Sequence, residues 1–132
     1  MVDGRLAGKQ VLLLEDEEAI LVPTARYFRA LGCHVDAAAG PDEAEAFIDA
    51  RRYDLAILDL RVTRFGGAEG LDVLRAIRRR DRDTRVILLS AYVSPDVEQE
   101  AHALGVDSVL RKPQPLPDLA HLASVLMGAL DE

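Results

Sequence analysis

The run Leu55-Ala56-Ile57-Leu58, which ends on Asp59, decides the fold of this chain. Four apolar residues in succession are enough for a β-strand but too few for a helix. The run does not alternate with polar residues, so both faces of the strand are expected to be buried, as in a parallel sheet between two layers of helices. Two further runs, Val11 to Leu14 and Val86 to Leu89, have the same pattern and predict two more such strands.

Two weaker strands and five helices are also predicted, and strands and helices alternate along the chain. The strands are predicted over 33–37 and 106–110, each after a Leu-Gly pair that is typical of a helix end. One-sided apolar stripes predict the helices, of which Ser94-Pro95 begins the fourth and Pro117-Asp118 the last. Pro23 either kinks the first helix or marks a later start. The alternation of strands and helices predicts a doubly wound α/β sheet with helices on both faces.

Composition indicates one globular domain. The 132 residues are within the usual size of a domain, which we expect to span 1–132 with its core at 9–130. No apolar run exceeds four residues, whereas a membrane span needs roughly 18. The single cysteine, Cys33, cannot form an intrachain disulfide, so we expect a cytoplasmic location. The net charge of −7 disfavours nucleic acid as a partner, and the arginines of residues 75–85 alternate with aspartates as in a solvated helix end.

Polar side chains stand at the ends of four predicted strands. Glu15 and Asp16 follow the first strand, Asp59 ends the third, Ser90 ends the fourth and Lys112 follows the fifth. Taken singly, each is explained as a helix cap or a loop ending. Ligands of doubly wound folds bind at the carboxyl ends of the strands, however, and these residues are all expected at that edge.

The three carboxylates need a cation if the first and third strands are neighbours, because Glu15, Asp16 and Asp59 would then converge and repel one another. Oxygen ligands suit a hard divalent cation, and Mg²⁺ in particular favours sites that phosphate oxygens complete. Three carboxylates, Mg²⁺ and the Lys112 ammonium sum to about zero charge. That balance suits an incoming phosphoryl group.

In their order and spacing these residues resemble the receiver domains of bacterial two-component response regulators, from about Lys9 to Leu130. The resemblance implies a flavodoxin-like five-stranded sheet with strand order 2-1-3-4-5. It also implies roles for six residues: Asp59 as phosphoacceptor, Glu15, Asp16 and Asp59 as Mg²⁺ ligands, the backbone carbonyl of Arg61 as a further ligand, and Lys112 and Ser90 as contacts of the phosphoryl group.

The chemistry implied by the resemblance is phosphoryl transfer to Asp59 from a phosphohistidine on a sensor histidine kinase or phosphotransfer protein. Such a domain is a signalling phosphoprotein rather than an enzyme, since it catalyses only its own phosphorylation and dephosphorylation. Ser90 would bind the new phosphoryl group and draw the following loop inward. The signal would pass to an effector protein or an output domain outside this chain, and a homodimer through the fourth helix, fifth strand and fifth helix is a further expectation.

Three features depart from the family pattern. Val109 stands where an aromatic switch residue is common, Val62-Thr63 replaces a Met-Pro pair, and the loop after Asp59 has about three extra residues. Tyr92 is expected to shield the phosphoryl group and slow its hydrolysis. Because Val109 and the altered loop depart from the family pattern, an alternative stays open: a pseudo-receiver that is not phosphorylated and acts as a protein-interaction scaffold. A flavin carrier and a haloacid-dehalogenase-like phosphatase are disfavoured because the chain has neither signature.

Overall fold

The structure, a computed structural model, describes residues 6–60 and 69–128. Five parallel strands form one sheet in the order β2-β1-β3-β4-β5, which confirms the doubly wound, flavodoxin-like arrangement. The strands are β1 (Gln10–Leu14), β2 (His34–Ala38), β3 (Leu55–Asp59), β4 (Arg85–Ser90) and β5 (Ser108–Arg111). The helices are α1 (Glu18–Ala30), α2 (Pro41–Ala50), α3 (Glu69–Arg80), α4 (Pro95–Ala103) and α5 (Leu116–Leu126).

Alternate residues of the central strands β1 and β3 face two separate apolar cores. One core, with α2, α3 and α4, contains Leu12, Leu14, Ala56 and Leu58. The other, with α1 and α5, contains Val11, Leu13, Leu55 and Ile57. Burial of one large apolar side chain contributes about 1.5–3 kcal/mol, so both faces of these strands stabilise the fold. This two-sided burial is the physical reason for the unbroken apolar runs.

The strand register brings the carboxyl ends of the strands to one edge. Leu14 pairs with Leu58, so the residue after β1 lies beside the last residue of β3. Asp59 in turn pairs with Leu89 of β4, and Ser90 pairs with Arg111 of β5. The polar residues that end or follow β1, β3, β4 and β5 therefore share this edge of the sheet.

The structure corrects both predicted edge strands: β2 covers 34–38 rather than 33–37, and β5 covers 108–111 rather than 106–110. Strand β2 begins one residue later than predicted, because the amide of Cys33 still donates to the carbonyl of Phe28 in α1. Gly32 turns the chain there with a φ of 100°, a conformation that favours glycine. Strand β5 begins at Ser108 rather than at 106, since the amide of Val106 closes the end of α4 on Ala101.

The helix starts are closer to the predictions. Helix α1 begins at Glu18 and continues through Pro23, so the later start is wrong. Helix α4 begins at Pro95 as predicted, and the Ser94 hydroxyl accepts a hydrogen bond from the amide of Val97 at 3.3 Å. Helix α5 begins at Leu116, one residue before the predicted pair. None of the described helices combines the length and apolarity that a membrane span requires.

The arginine-rich segment is only in part a solvated helix end. Arg79, Arg80 and Arg82 are exposed, as expected. Arg78 is half-buried, and its guanidinium donates hydrogen bonds to backbone carbonyls of two segments, the turn that precedes β4 and the end of α4. The prediction of a solvated side chain is therefore wrong for Arg78.

Candidate metal centre at the carboxyl edge of the sheet

Three carboxylates converge where β1 and β3 end side by side. One oxygen from each of Glu15, Asp16 and Asp59 can be chosen so that all three lie within 4.8 Å of one another. Glu15 and Asp59 are 7% and 5% exposed, whereas Asp16 is exposed to solvent. The cluster is therefore anchored in the protein on one side and open to water on the other.

Lys112, which follows β5, reaches across the edge of the sheet to two of these carboxylates. Its Nζ atom lies 2.7 Å from Glu15 Oε1 and 3.2 Å from Asp59 Oδ2, and its side chain is 18% exposed. Burial acts to lower the pKa of Lys112, but the hydrogen bond to Glu15 and the negative charges of Asp59 and Glu15 outweigh it and raise the pKa. Lys112 therefore carries a full positive charge at neutral pH.

One ammonium does not neutralise three carboxylates. The pKa of Asp16 is raised, first by partial desolvation of its carboxyl and then by a hydrogen bond and charge repulsion from Glu15. The repulsion reflects the excess negative charge of the cluster. A divalent cation would supply the missing charge, and an all-oxygen donor set is the type that Mg²⁺ prefers. The residues present therefore fit a magnesium ion in both charge and donor chemistry.

Glu15 is held in place from two sides. Its Oε1 atom accepts from Lys112, and its Oε2 atom accepts from the amide of Glu17 at 3.1 Å. Its own amide donates to the carbonyl of Ala38 in β2. Both the backbone and the carboxylate of Glu15 are thus oriented before any ligand binds.

Gly70 in the first turn of α3 is a residue next to the site that the sequence did not identify. A Cβ atom at this position would lie 2.6 Å from the carbonyl oxygen of Asp59 and 2.8 Å from the Cα atom of Leu60. The Gly70 amide donates to the carbonyl of Leu60 at 2.9 Å. Helix α3 therefore packs directly on the backbone that carries Asp59. A glycine just before the apolar stripe of a helix was the available signal.

Ser90 lies at the same edge but is engaged with its own loop. The side chain is buried, and its hydroxyl donates to the Tyr92 carbonyl at 2.6 Å and accepts from the Tyr92 amide at 3.2 Å. The Tyr92 side chain is 63% exposed. The hydroxyl would have to leave these partners before it could contact a group bound at Asp59.

Among the remaining sequence-predicted positions, Val109 is described by the structure and stands apart from this cluster. Val109 in β5 is half-buried and packs against the apolar core beneath α3 and α4. Arg61, Val62-Thr63 and the rest of the extended loop lie outside the described residues, so the proposed carbonyl ligand stays a prediction.

An apolar cavity of about 260 Å³ adjoins the carboxylates. It lies between α1 and the segment that leads into α5, and its wall includes Ile20, Leu21, Pro113, Leu116 and Leu119 together with Glu15, Asp59 and Lys112. Apolar surroundings lower the local dielectric constant and strengthen interactions between charges. The cavity therefore favours strong pairing of Lys112 with the carboxylates.

Comparison with known proteins identifies the family of this chain. Residues 11–124 match the family model described as the response regulator receiver domain. The chain is 36% identical over 119 residues to the acid tolerance regulatory protein ActR of Sinorhizobium medicae, a match that covers 89% of this chain and 60% of ActR. It is 27% identical over 108 residues to sporulation initiation phosphotransferase F of Bacillus subtilis, covering 82% of this chain and 85% of that protein.

Solved structures show the same architecture. A CheY-like response regulator receiver domain protein from Methanospirillum hungatei superposes with a TM-score of 0.83 at 25% sequence identity. The superposition covers 92% of this chain and 95% of that chain.

Proposed function

This chain belongs to the response regulator receiver domain family, and from that premise we propose that it is a phosphoacceptor whose Asp59 takes a phosphoryl group from a phosphohistidine. The donor would be a sensor histidine kinase or a phosphotransfer protein. The observation that carries the proposal is the convergence of Glu15, Asp16 and Asp59 with Lys112 at one edge of the sheet. Three carboxylates with one ammonium leave uncompensated negative charge, and such perturbed charges cluster at functional sites. This favours a phosphoacceptor over a scaffold that is never phosphorylated.

Asp59 acts as the nucleophile in this proposal. A carboxylate oxygen forms a bond to phosphorus while the phosphorus–nitrogen bond of the phosphohistidine breaks, and the electron pair of that bond stays on the imidazole nitrogen. Because the nucleophile in this step is a carboxylate, no side chain has to act as a general base. Catalysis then depends on position and charge, as in other phosphoryl transfers.

Lys112 and the carboxylates prepare the site for that step. The ammonium of Lys112 lies 3.2 Å from Asp59 Oδ2, within reach of a phosphoryl oxygen on Asp59. Glu15, Asp16 and Asp59, with the backbone carbonyl of Arg61, would hold Mg²⁺. When bound, Mg²⁺ supplies positive charge to the phosphoryl oxygens.

Ser90 couples phosphorylation of Asp59 to movement of the loop between β4 and α4. Its hydroxyl exchanges the Tyr92 carbonyl for an oxygen of the new phosphoryl group, and the loop between β4 and α4 moves toward Asp59. Burial of Ser90 at the end of β4 favours this exchange, because a buried hydroxyl needs a partner in either state.

Partners follow from the same proposal. The chain spans about 60% of the length of the ActR proteins that it matches. We propose that residues 1–132 form one receiver domain and that this domain acts in the cytoplasm. Its effect passes to an effector protein or an output domain outside residues 1–132. The surface formed by α4, β5 and α5 is the proposed contact for that partner or for a second copy.

The test is phosphorylation by a small donor. Purified protein is incubated with acetyl phosphate and Mg²⁺, and the intact mass is measured. We expect one phosphoryl increment that is lost with a chelator and with Asp59→Asn. Asp49→Asn is the matched control, since Asp49 is an exposed aspartate on α2. Absence of the increment in the wild-type protein would favour the scaffold alternative.

A further inference from the structure

Helix α4 is held to the rest of the fold by little apolar packing. Ala101 is its single buried residue, whereas α3 buries six residues. Val97 is half-buried against the core, and the other residues of α4 are exposed. The exposed side chains include three acids, Asp96, Glu98 and Glu100. A helix that buries so little apolar surface needs other interactions to stay docked.

Arg78 of α3 supplies several of these interactions. Its Nε atom donates to the carbonyl of Leu104 at 2.8 Å, and its Nη2 atom donates to the carbonyl of Gly105 at 2.9 Å. Its Nη1 atom donates to the carbonyls of Thr84 at 2.8 Å and Asp81 at 3.3 Å. One planar guanidinium thus joins the C-terminal end of α4 to the turn that precedes β4.

The end of α4 is built to receive this side chain. The last carbonyls of a helix have no intrahelical partner and carry partial negative charge, which a cation stabilises. Gly105 closes the helix with a φ of 76°. A Cβ atom at Gly105 would lie 3.4 Å from Arg78 Nε, which is an ordinary contact distance, so the positive φ rather than a lack of space favours glycine here.

A second arginine of α3 reaches α4 one turn earlier. Arg75 forms an ion pair with Glu100, and it also pairs with Asp72 of its own helix at 2.7 Å. The basic side of α3 thereby faces the acidic helix α4. Together, Arg75 and Arg78 supply a charged attachment where apolar contacts are few.

We propose that Arg75 and Arg78 form an arginine clamp through which α3 holds α4, and that α4 detaches as a unit when the clamp is opened. The clamp holds the C-terminal end of α4, at the edge of the sheet opposite Asp59. The N-terminal end, next to the loop of Ser90, is consequently the end that is free to move. The clamp sets how strongly α4 resists displacement, and this role goes beyond phosphorylation of Asp59.

Amide hydrogen exchange of the whole chain tests the clamp without any phosphodonor, so its failure is distinguishable from failure of the proposed function. In Arg78→Gln we expect the amides of residues 98–104 to exchange about tenfold faster or more, since hydrogen bonds from a charged donor are lost. The amides of β1 should keep their wild-type rates. Arg79→Gln is the matched control, because Arg79 is exposed and forms no ion pair with any described residue.

A second pair of variants keeps the test decisive if Arg78→Gln does not fold. Arg75→Gln and Glu100→Gln should each accelerate exchange in α4 by about two- to fivefold, as loss of an exposed ion pair does. The double variant should exchange no faster than the faster single variant, because both changes remove the same pair. Unchanged exchange in α4, or an equal acceleration in β1, would overturn the proposal.

Discussion

Replacement of Gly70 by alanine tests whether the contact between α3 and β3 positions Asp59. The added methyl group would lie 2.6 Å from the carbonyl oxygen of Asp59 and 2.8 Å from Leu60 Cα. Ordinary contacts of a Cβ atom begin at about 3.4 Å. The helix or the strand must therefore move by about half an ångström or more. Both obstructing atoms belong to the backbone and cannot rotate aside, so the strain is not relieved by a change of rotamer.

Two opposing contributions set the expected magnitude. Alanine is better than glycine within a helix by about 0.5–1 kcal/mol. Overpacking against fixed atoms costs about 1–3 kcal/mol. We expect the second to prevail and the free energy of unfolding to fall by about 1–2 kcal/mol. For a domain of this size, this corresponds to a midpoint lower by about 3–10 °C.

Thermal or urea unfolding measures the stability, and the rate of phosphorylation by acetyl phosphate reports on the site. Because displacement of a reacting group by a fraction of an ångström is costly, we expect a rate lower by about tenfold. Gly40→Ala is the control, since no atom lies within 4 Å of a Cβ placed there. Because Gly40 is the N-cap of α2, its replacement has a small cost of its own, so a Gly70→Ala protein as stable as the wild type would refute the reasoning on packing. Lower stability with an unchanged rate would refute the positioning of Asp59 by α3.

Three further outcomes are expected. Lys112→Met removes the ammonium that Glu15 and Asp59 share, so the free energy of unfolding should fall by about 1–3 kcal/mol. Mg²⁺ should restore part of the lost stability in urea titrations. No response to Mg²⁺ would contradict the metal site. Tyr92→Ala should release the phosphoryl group faster if the exposed ring shields it, which the decay of the phosphorylated mass measures; an unchanged decay rate would exclude shielding. Burial raises the pKa of Cys33 to about 11, so its thiol should resist iodoacetamide at pH 8 until urea unfolds the protein, whereas rapid labelling of the native protein would argue against that burial.

The hydrogen bonds of Glu15 bear on how the candidate metal site could hold a cation. Both of its carboxylate oxygens already have donors, one from Lys112 and one from the amide of Glu17. Asp16, by contrast, is exposed, and its pKa is raised by partial desolvation and by Glu15. A cation bound there would therefore relieve repulsion at Asp16 most directly, while the two hydrogen bonds of Glu15 keep its carboxylate in position.

The sequence was most informative about the central strands. The apolar runs of β1, β3 and β4 identified both the strands and their two-sided burial, because each residue of a covered strand leaves water regardless of which helix covers it. Predictions were weaker at β2 and β5, which lie at the edges of the sheet. Their boundaries depend on how the preceding helix closes, as at Cys33 and Val106, and such closure depends on hydrogen bonds that a pattern of apolar residues does not encode.

The amino-acid sequence by itself determined the α/β class, the main strands and the placement of acids, hydroxyl and lysine at strand ends. Only the tertiary structure decided that Lys112 meets Glu15, 97 residues away, that Gly70 packs on Asp59 and that Arg78 holds the end of α4. The reason is physical: apolar periodicity depends on neighbouring residues and their exposure to water, whereas contacts between distant residues depend on strand order, register and the close packing of backbones.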